Sequence, residues 1–100
     1  PLNMRDGCIL CRGKENADWN FSAPHGAGRA YNRSDTIASF TLSQYKKEMS
    51  KIHSTSISRG TLDECPMAYK NSQKIINAIK PTADIIEAIK PVYNYKAEIR

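Results

Sequence analysis

The stretch SAPHGAGRAYNR, residues 22–33, places a histidine directly before two glycines and an arginine. Glycine tolerates positive φ and has no side chain, so the backbone N–H groups of a Gly-x-Gly turn can face a phosphate. Arg29 adds a planar guanidinium whose donors match phosphate oxygens. The pattern indicates phosphate binding beside His25. A tight turn whose histidine has no chemical role explains the same residues equally well at this point.

The three cysteines, Cys8, Cys11 and Cys65, form an odd set in a chain without secretory features, which favours reduced thiols over disulfides. The Cys8-x-x-Cys11 spacing is half of a zinc site, but such a site needs four ligands. Cys65, His25 and His53 are each isolated in the sequence. Buried cysteines that act as small apolar side chains are therefore the better interpretation. A structural zinc-binding domain is the minor alternative.

The composition is basic, with a formal net charge of +5 in 100 residues. Such an excess favours polyanionic partners, nucleic acid above all, because lysine and arginine release counterions from phosphates. No apolar run approaches the roughly 20 residues of a membrane-spanning helix, and residues 1–7 have no signal-peptide pattern. We expect a single cytoplasmic unit that is a fragment of a longer protein.

Local patterns predict the elements that position these residues. The apolar run at 8–11 predicts a short strand followed by a long functional loop. Thr41 with Gln44 three residues later is a capping-box pattern, and apolar residues at helical spacing extend the predicted helix to His53. The loop at 54–70 is expected to pack on the rest, with adjacent Asp63 and Glu64 on opposite faces and without a catalytic role.

The last third contains two similar segments, IINAIKP at 75–81 and IIEAIKP at 85–91. Each is predicted to be a short helix that its proline ends. The final segment, VYNYKAEI at 92–99, alternates like a strand, with Asn94 and Lys96 on one face and the tyrosines on the other. The fold class is therefore predicted to be α+β, with short strands at both ends and two to three helices between them.

Four segments, PLNMRDG, RGKENADWNFSAPHGAGR, TLDECPMAYK and IKPVYNYKAE, occur in this order along the chain. Together they resemble the C-terminal part of the RtcB family of RNA ligases, specifically its bacterial branch. The resemblance covers essentially the whole chain, and HGAGR is its most specific motif. It implies that residues 1–100 are one unit, the C-terminal part of a ligase domain whose N-terminal, metal-binding part precedes them.

This resemblance implies an activity. Members of the family join an RNA 3′-phosphate or 2′,3′-cyclic phosphate end to a 5′-hydroxyl end, using GTP and manganese. The substrates are tRNA halves or broken RNA. Carried over, His25 is the nucleophile that attacks the α-phosphate of GTP and forms a histidine–GMP bond, since a neutral imidazole is nucleophilic at pH 7. Gly26, Ala27 and Gly28 let the nucleotide approach, and Arg29 holds phosphate charge.

The resemblance also implies the remaining nucleotide contacts. Lys96 occupies the position of a lysine that contacts the guanine base, and Tyr69 lies beside the purine, where stacking is favourable. Asn3, Met4 and Cys8 line the nucleotide site. Relatives typically have serine at the position of Cys8, and a thiol is a weaker hydrogen-bonding group than a hydroxyl.

The chain departs from the family pattern elsewhere. Pro24 stands where well-studied relatives have cysteine, and Asn32 precedes Arg33 where they have serine. The manganese ligands of the family, a set of Asp, Cys and His, belong to the part before Pro1. The resemblance thus implies no metal ligand in this chain and no activity of the chain alone. The alternative function is a basic RNA-binding or interaction module that kept the scaffold without catalysis.

Overall fold

The computed structural model describes residues 1–98. They contain four strands and three α-helices, with short strands near both ends, which confirms the predicted α+β class. The strands are β1 (Cys8–Gly13), β2 (His53–Ser54), β3 (Ala83–Ile89) and β4 (Tyr93–Asn94). The helices are α1 (Arg33–Ser39), α2 (Leu42–Glu48) and α3 (Ser72–Ala78), and short 3-10 helices cover Ala17–Trp19, Arg59–Glu64 and Pro66–Ala68.

The larger sheet pairs β1 with β3 in antiparallel register, from Cys8 opposite Ile89 to Gly13 opposite Ala83. The helix predicted at 85–91 is therefore wrong, because residues 85–89 belong to β3. Their β-branched isoleucines suit a strand, and β1 supplies the backbone partner that a helix would not use. Its apparent twin at 75–81 is helical as far as Ala78, the end of α3.

Helix α2 begins as predicted. The Thr41 hydroxyl accepts a hydrogen bond of 3.2 Å from the Gln44 N–H, and the Gln44 side chain accepts one of 2.8 Å from the Thr41 N–H. The helix nevertheless ends at Glu48, and the prediction that it reaches His53 is wrong. His53 is extended because it pairs in parallel with Tyr93, and their ring centroids lie 5.4 Å apart.

Helix α1 was missed by sequence reasoning. Its N-cap is Asn32, whose side chain accepts a hydrogen bond of 2.8 Å from the Asp35 N–H. That capping pattern was visible in the sequence, but it follows the glycine loop with few apolar residues. The terminal strand predicted at 92–99 is shorter than expected, since only Tyr93 and Asn94 are paired, and residue 99 lies outside the described part.

The hydrophobic core lies between the N-terminal turn, α2 and the two 3-10 helices at Arg59–Glu64 and Pro66–Ala68. Its buried members are Met4, Tyr45, Met49, Leu62, Cys65 and Ala68. The Tyr45 hydroxyl lies 3.1 Å from both the Thr61 hydroxyl and the Met4 sulfur, so the only polar group of this ring is satisfied inside. Residues 54–70 thus pack on the rest as predicted. Among residues 1–98, no helix has both the length and the apolar character needed to span a membrane.

Candidate functional site

A cleft of about 460 Å³ opens between the N-terminal turn, the glycine loop and residues 91–96. Every site residue predicted from the sequence lines this cleft except Arg29. The lining comprises Pro1, Leu2, Asn3, Met4, Gly7, Cys8, His25, Gly26, Ala27, Gly28, Tyr69, Pro91, Asn94 and Lys96. Segments from both ends of the described chain, Pro1 and Lys96 among them, therefore meet around one space.

The wall formed by residues 3–8 is a tight turn. The Gly7 N–H donates to the Asn3 carbonyl at 3.0 Å. Gly7 has a φ of 82°, a backbone conformation that is strained for any residue with a side chain. A Cβ on Gly7 would lie 2.1 Å from the Ile89 carbonyl oxygen, so the turn packs directly against the backbone of β3. The Asp6 carboxylate accepts hydrogen bonds from Arg5, Ser72 and Asn3. These bonds lower its pKa more than burial raises it, so the pKa of this carboxyl lies well below its usual range.

The glycine loop is held from two sides. The Ala27 N–H donates to the Pro1 carbonyl at 3.1 Å, and a Cβ on Gly26 would lie only 3.2 Å from that same oxygen. Gly28 has a φ of 75°, in the left-handed region. Gly26 thus permits close packing of the chain itself, and Gly28 permits the turn. His25 precedes them, exposed on the wall of the cleft.

Arg29 points away from the cleft and fixes the loop. Its Nε donates to the Tyr31 carbonyl at 3.0 Å, and its Nη2 donates to the Thr36 hydroxyl at 3.2 Å and to the Asp63 carbonyl. The guanidinium carbon also lies 5.1 Å from the centroid of the Tyr69 ring. The Arg29 N–H groups that were expected to bind phosphate therefore donate to other groups of the protein.

Lys70 was missed by sequence reasoning, although it follows Tyr69 directly. Its Nζ lies 3.7 Å from the position that a Cβ on Gly28 would take. No carboxylate of residues 1–98 forms an ion pair with it. A free ammonium therefore lies beside the glycine turn, where Arg29 was expected to supply positive charge.

The Glu64 carboxylate contacts two residues of the cleft lining, Tyr69 and Lys96. Its Oε2 accepts a hydrogen bond of 2.6 Å from the Tyr69 hydroxyl and lies 3.5 Å from the Lys96 Nζ. Its Oε1 accepts one of 2.5 Å from Arg33 and lies 3.7 Å from the Arg29 Nη1. Burial raises the pKa of Glu64, but the hydrogen bonds from Tyr69 and Arg33 outweigh it, so this pKa is lowered.

The opposite effect acts on Tyr69, whose pKa is raised by burial and then by its bond to the Glu64 carboxylate. Asp63 and Glu64 were expected on opposite faces of an extended segment, which is wrong. Both carboxylates bind the same Arg33 nitrogen, because the segment is a 3-10 helix that turns between them. Neither of them lines the cleft.

Asn94 belongs to the cleft lining and has an unusual side-chain oxygen. Its Oδ1 is buried and has no hydrogen-bond partner among residues 1–98. Sequence reasoning placed Asn94 on the face of Lys96 but assigned it no contact. The alternation of residues 92–96 in the sequence indicated that Asn94 and Lys96 share a face, and both residues line the cleft.

Metal binding has no support in this part of the chain. Among residues 1–98, no group of three His, Cys, Asp or Glu side chains could hold a metal ion. Cys8 and Cys11 are half-buried thiols and Cys65 is buried, with a pKa that burial raises. The residues present in 1–98 therefore fit neither the zinc alternative nor a manganese site.

Comparison with known proteins identifies the family. The sequence model described as tRNA-splicing ligase RtcB matches residues 1–97. Comparison with curated proteins gives no significant match. Because the family match spans nearly the whole chain, including every residue that lines the cleft, the chain belongs to the RtcB family of tRNA-splicing ligases.

Proposed function

We propose that this chain is the nucleophile-bearing part of a cytoplasmic RNA ligase that uses GTP and manganese. The enzyme joins an RNA 3′-phosphate or 2′,3′-cyclic phosphate end to a 5′-hydroxyl end, in tRNA halves or broken RNA. Family membership supports the reaction class. The observation that carries the proposal is that His25 and the glycine loop line the same cleft as Tyr69 and Lys96.

His25 is the proposed nucleophile. Its neutral imidazole nitrogen attacks the α-phosphorus of GTP, a P–N bond forms, and pyrophosphate leaves. The GMP group then passes to the RNA 3′-phosphate, which regenerates the imidazole. Finally, the RNA 5′-hydroxyl attacks the activated 3′-phosphate and GMP leaves. The exposed position of His25 on the cleft wall allows both the nucleotide and the RNA end to reach it.

The other cleft residues bind and orient the nucleotide. Tyr69 offers its ring to the purine and Lys96 offers an ammonium to the guanine, while Glu64 holds both side chains. The proposed phosphate donors are the backbone N–H groups of the glycine loop other than that of Ala27, which donates to the Pro1 carbonyl, and Lys70 supplies positive charge beside Gly28. Asn3, Met4 and Cys8 line the same cleft and complete the proposed nucleotide contacts.

The proposed metal ligands lie in a part of the protein outside these residues, so the chain alone is expected to be inactive. A manganese ion held by those ligands would neutralise negative charge on the phosphates. The net charge of +5 supports a polyanionic substrate such as RNA.

The test is covalent labelling of the complete protein with α-labelled GTP and manganese. We expect retained label that is stable in base and labile in acid, because protonation at nitrogen makes the imidazole a good leaving group. His25→Ala and His25→Asn abolish the label, whereas His53→Ala retains it, since His53 does not line the cleft. Labelling of folded His25 variants would contradict the proposal. RNA binding without any labelling of the wild type would instead support the non-catalytic RNA-binding module.

A further inference from the structure

A second cleft, of about 630 Å³, lies between the N-terminal turn, α2, α3 and the end of β3. We call it the lysine cleft, because Lys47, Lys51 and Lys90 line it. It shares only Leu2 and Pro91 with the lining of the nucleotide cleft and contains none of the residues to which a nucleotide contact is assigned. The proposed reaction therefore leaves this second surface without a role.

Aliphatic side chains form the floor of the lysine cleft. Leu2 is buried, and Ile9, Ile52 and Ile76 are half-buried. These residues come from the N-terminal turn, from β1, from the segment after α2 and from α3, so separate parts of the chain build one concave apolar surface. Apolar side chains that fill such a surface gain free energy by displacing water from it. The floor is therefore suited to the apolar side chains of a partner.

The rim of the lysine cleft is basic. Its three lysines are exposed, and none of them forms an ion pair with a carboxylate of residues 1–98. The two acidic residues of the lining, Asp6 and Glu48, are both bonded to Arg5, at 2.9 Å and 2.6 Å. The lining therefore neutralises its own arginine and leaves its lysines available for carboxylates from outside.

An aliphatic floor with a basic rim favours an acidic protein segment over the other occupants. Among residues 1–98, the lining includes no aromatic ring on which an RNA base could stack. A second copy of the chain carries the same net charge of +5, so two copies repel each other. An acidic amphipathic helix matches both features, because its apolar side chains fit the floor while its carboxylates face the lysines.

We propose that the lysine cleft is a docking surface for an acidic amphipathic helix of a partner protein. The apolar face of that helix packs on Ile9, Ile52 and Ile76, and its flanking carboxylates pair with the three lysines of the rim. The apolar contact supplies affinity, and the charges select acidic segments against basic ones. This surface does not depend on the proposed ligase reaction, so either proposal can fail without the other.

The experiment titrates the complete protein into a fluorescent synthetic peptide that has leucines at helical spacing and glutamates between them. The salt concentration is about 0.15 M, at which distant charges are screened. We expect the double variant Lys47→Glu/Lys51→Glu to bind this peptide about tenfold more weakly or worse, because two attractive contacts become repulsive. The matched control is Lys46→Glu/Lys74→Glu, which makes the same change of charge at exposed residues outside the lining and keeps the wild-type affinity.

Ile76→Ala tests the floor, and we expect it to weaken peptide binding severalfold because apolar contact is lost. Thermal unfolding checks that each variant folds, and if Ile76→Ala does not, the exposed lysine pair decides by itself.

Four outcomes would overturn the proposal. The first two are absence of peptide binding to the wild type and equal binding of a peptide with lysines in place of the glutamates. The third is single-stranded RNA that displaces the peptide and that Lys47→Glu/Lys51→Glu no longer binds, which would assign the cleft to RNA. The fourth is a dimer of the wild type that the same double variant dissociates, which would assign it to a second copy.

Discussion

The backbone N–H of Lys70 donates a hydrogen bond of 3.1 Å to the carbonyl oxygen of Gly28. This bond aligns the segment after Tyr69 with the glycine loop. The backbones of Arg29 and Tyr69 also form an isolated antiparallel β-bridge. As a result, the Lys70 side chain lies along Gly28, and no described carboxylate neutralises it. The cation at the turn thus comes from a segment forty residues away from the motif.

Lys70→Gln is expected to weaken GTP binding severalfold without changing the preference for guanine over adenine. The ammonium acts on phosphate charge, which both nucleotides share, and its effect shrinks at high salt. Titration of GTP and ATP at two salt concentrations measures this. Lys74→Gln, a change on the exposed face of α3, is the matched control. Equal GTP affinity of Lys70→Gln and the control at low salt would remove Lys70 from the site.

Gly28→Ala is expected to lower the free energy of unfolding by about 1 kcal/mol, because its φ of 75° lies in the left-handed region that a side chain disfavours. Covalent labelling by GTP falls as well, since the loop after His25 shifts. Gly13→Ala is the control, because a Cβ there meets no atom within 4 Å and its φ is not positive. Denaturant unfolding compares the two, and equal stabilities would contradict the structural account of the turn.

Arg29→Lys is expected to lower the free energy of unfolding by about 2 kcal/mol, because a lysine cannot replace the fork that bonds Tyr31, Thr36 and Asp63 together. Labelling decreases through loss of loop order. The control is Arg12→Lys on the exposed part of β1. A variant that keeps full stability but loses nucleotide affinity would show that Arg29 acts on phosphate instead.

Lys96→Ala is expected to weaken GTP binding and to relax the preference for guanine over adenine, since an ammonium that pairs with the base is lost. Glu64→Gln acts in the same direction but less, because the carboxylate only positions Lys96 and Tyr69. The double variant then loses little beyond Lys96→Ala, as expected for coupled residues. Competition between GTP and ATP measures all three. Fully additive losses would show that Glu64 does not act through Lys96. Asp84→Asn, an ion-paired carboxylate on β3 outside the cleft lining, is the control.

The Asp6 carboxyl is expected to make stability depend on pH. Hydrogen bonds, above all from Arg5, place its folded pKa below the ordinary value of 3.8. The stability that it contributes is therefore complete above that value and is lost as the pH falls towards the lower folded pKa. Asp6→Asn flattens the fall in unfolding free energy below about pH 4. Asp18→Asn, which removes a carboxylate without an ion pair among residues 1–98, leaves the slope unchanged. Equal slopes in both variants would contradict this.

Local hydrogen bonding explains what could be predicted from the sequence alone. The capping box of Thr41 and Gln44 links atoms three residues apart, so it forms wherever that helix begins. The strand predicted at 8–11 and the helix predicted at 75–81 also follow from short apolar patterns, and the structure places them at Cys8–Gly13 and Ser72–Ala78. The HGAGR motif with its companion segments was enough to identify the family, because it records residue types and order.

Tertiary structure decided the rest, because the deciding partners are distant in the chain. Residues 85–89 become a strand only because β1 offers a hydrogen-bonding edge more than seventy positions earlier, although their repeat at 75–78 is a helix. Arg29 turns from the cleft because the Asp63 carbonyl and the Tyr69 ring lie on its other side. The sequence determined the types of group at the site, whereas long-range packing determined which of them face the cleft, with Asn94 left unpaired on its wall.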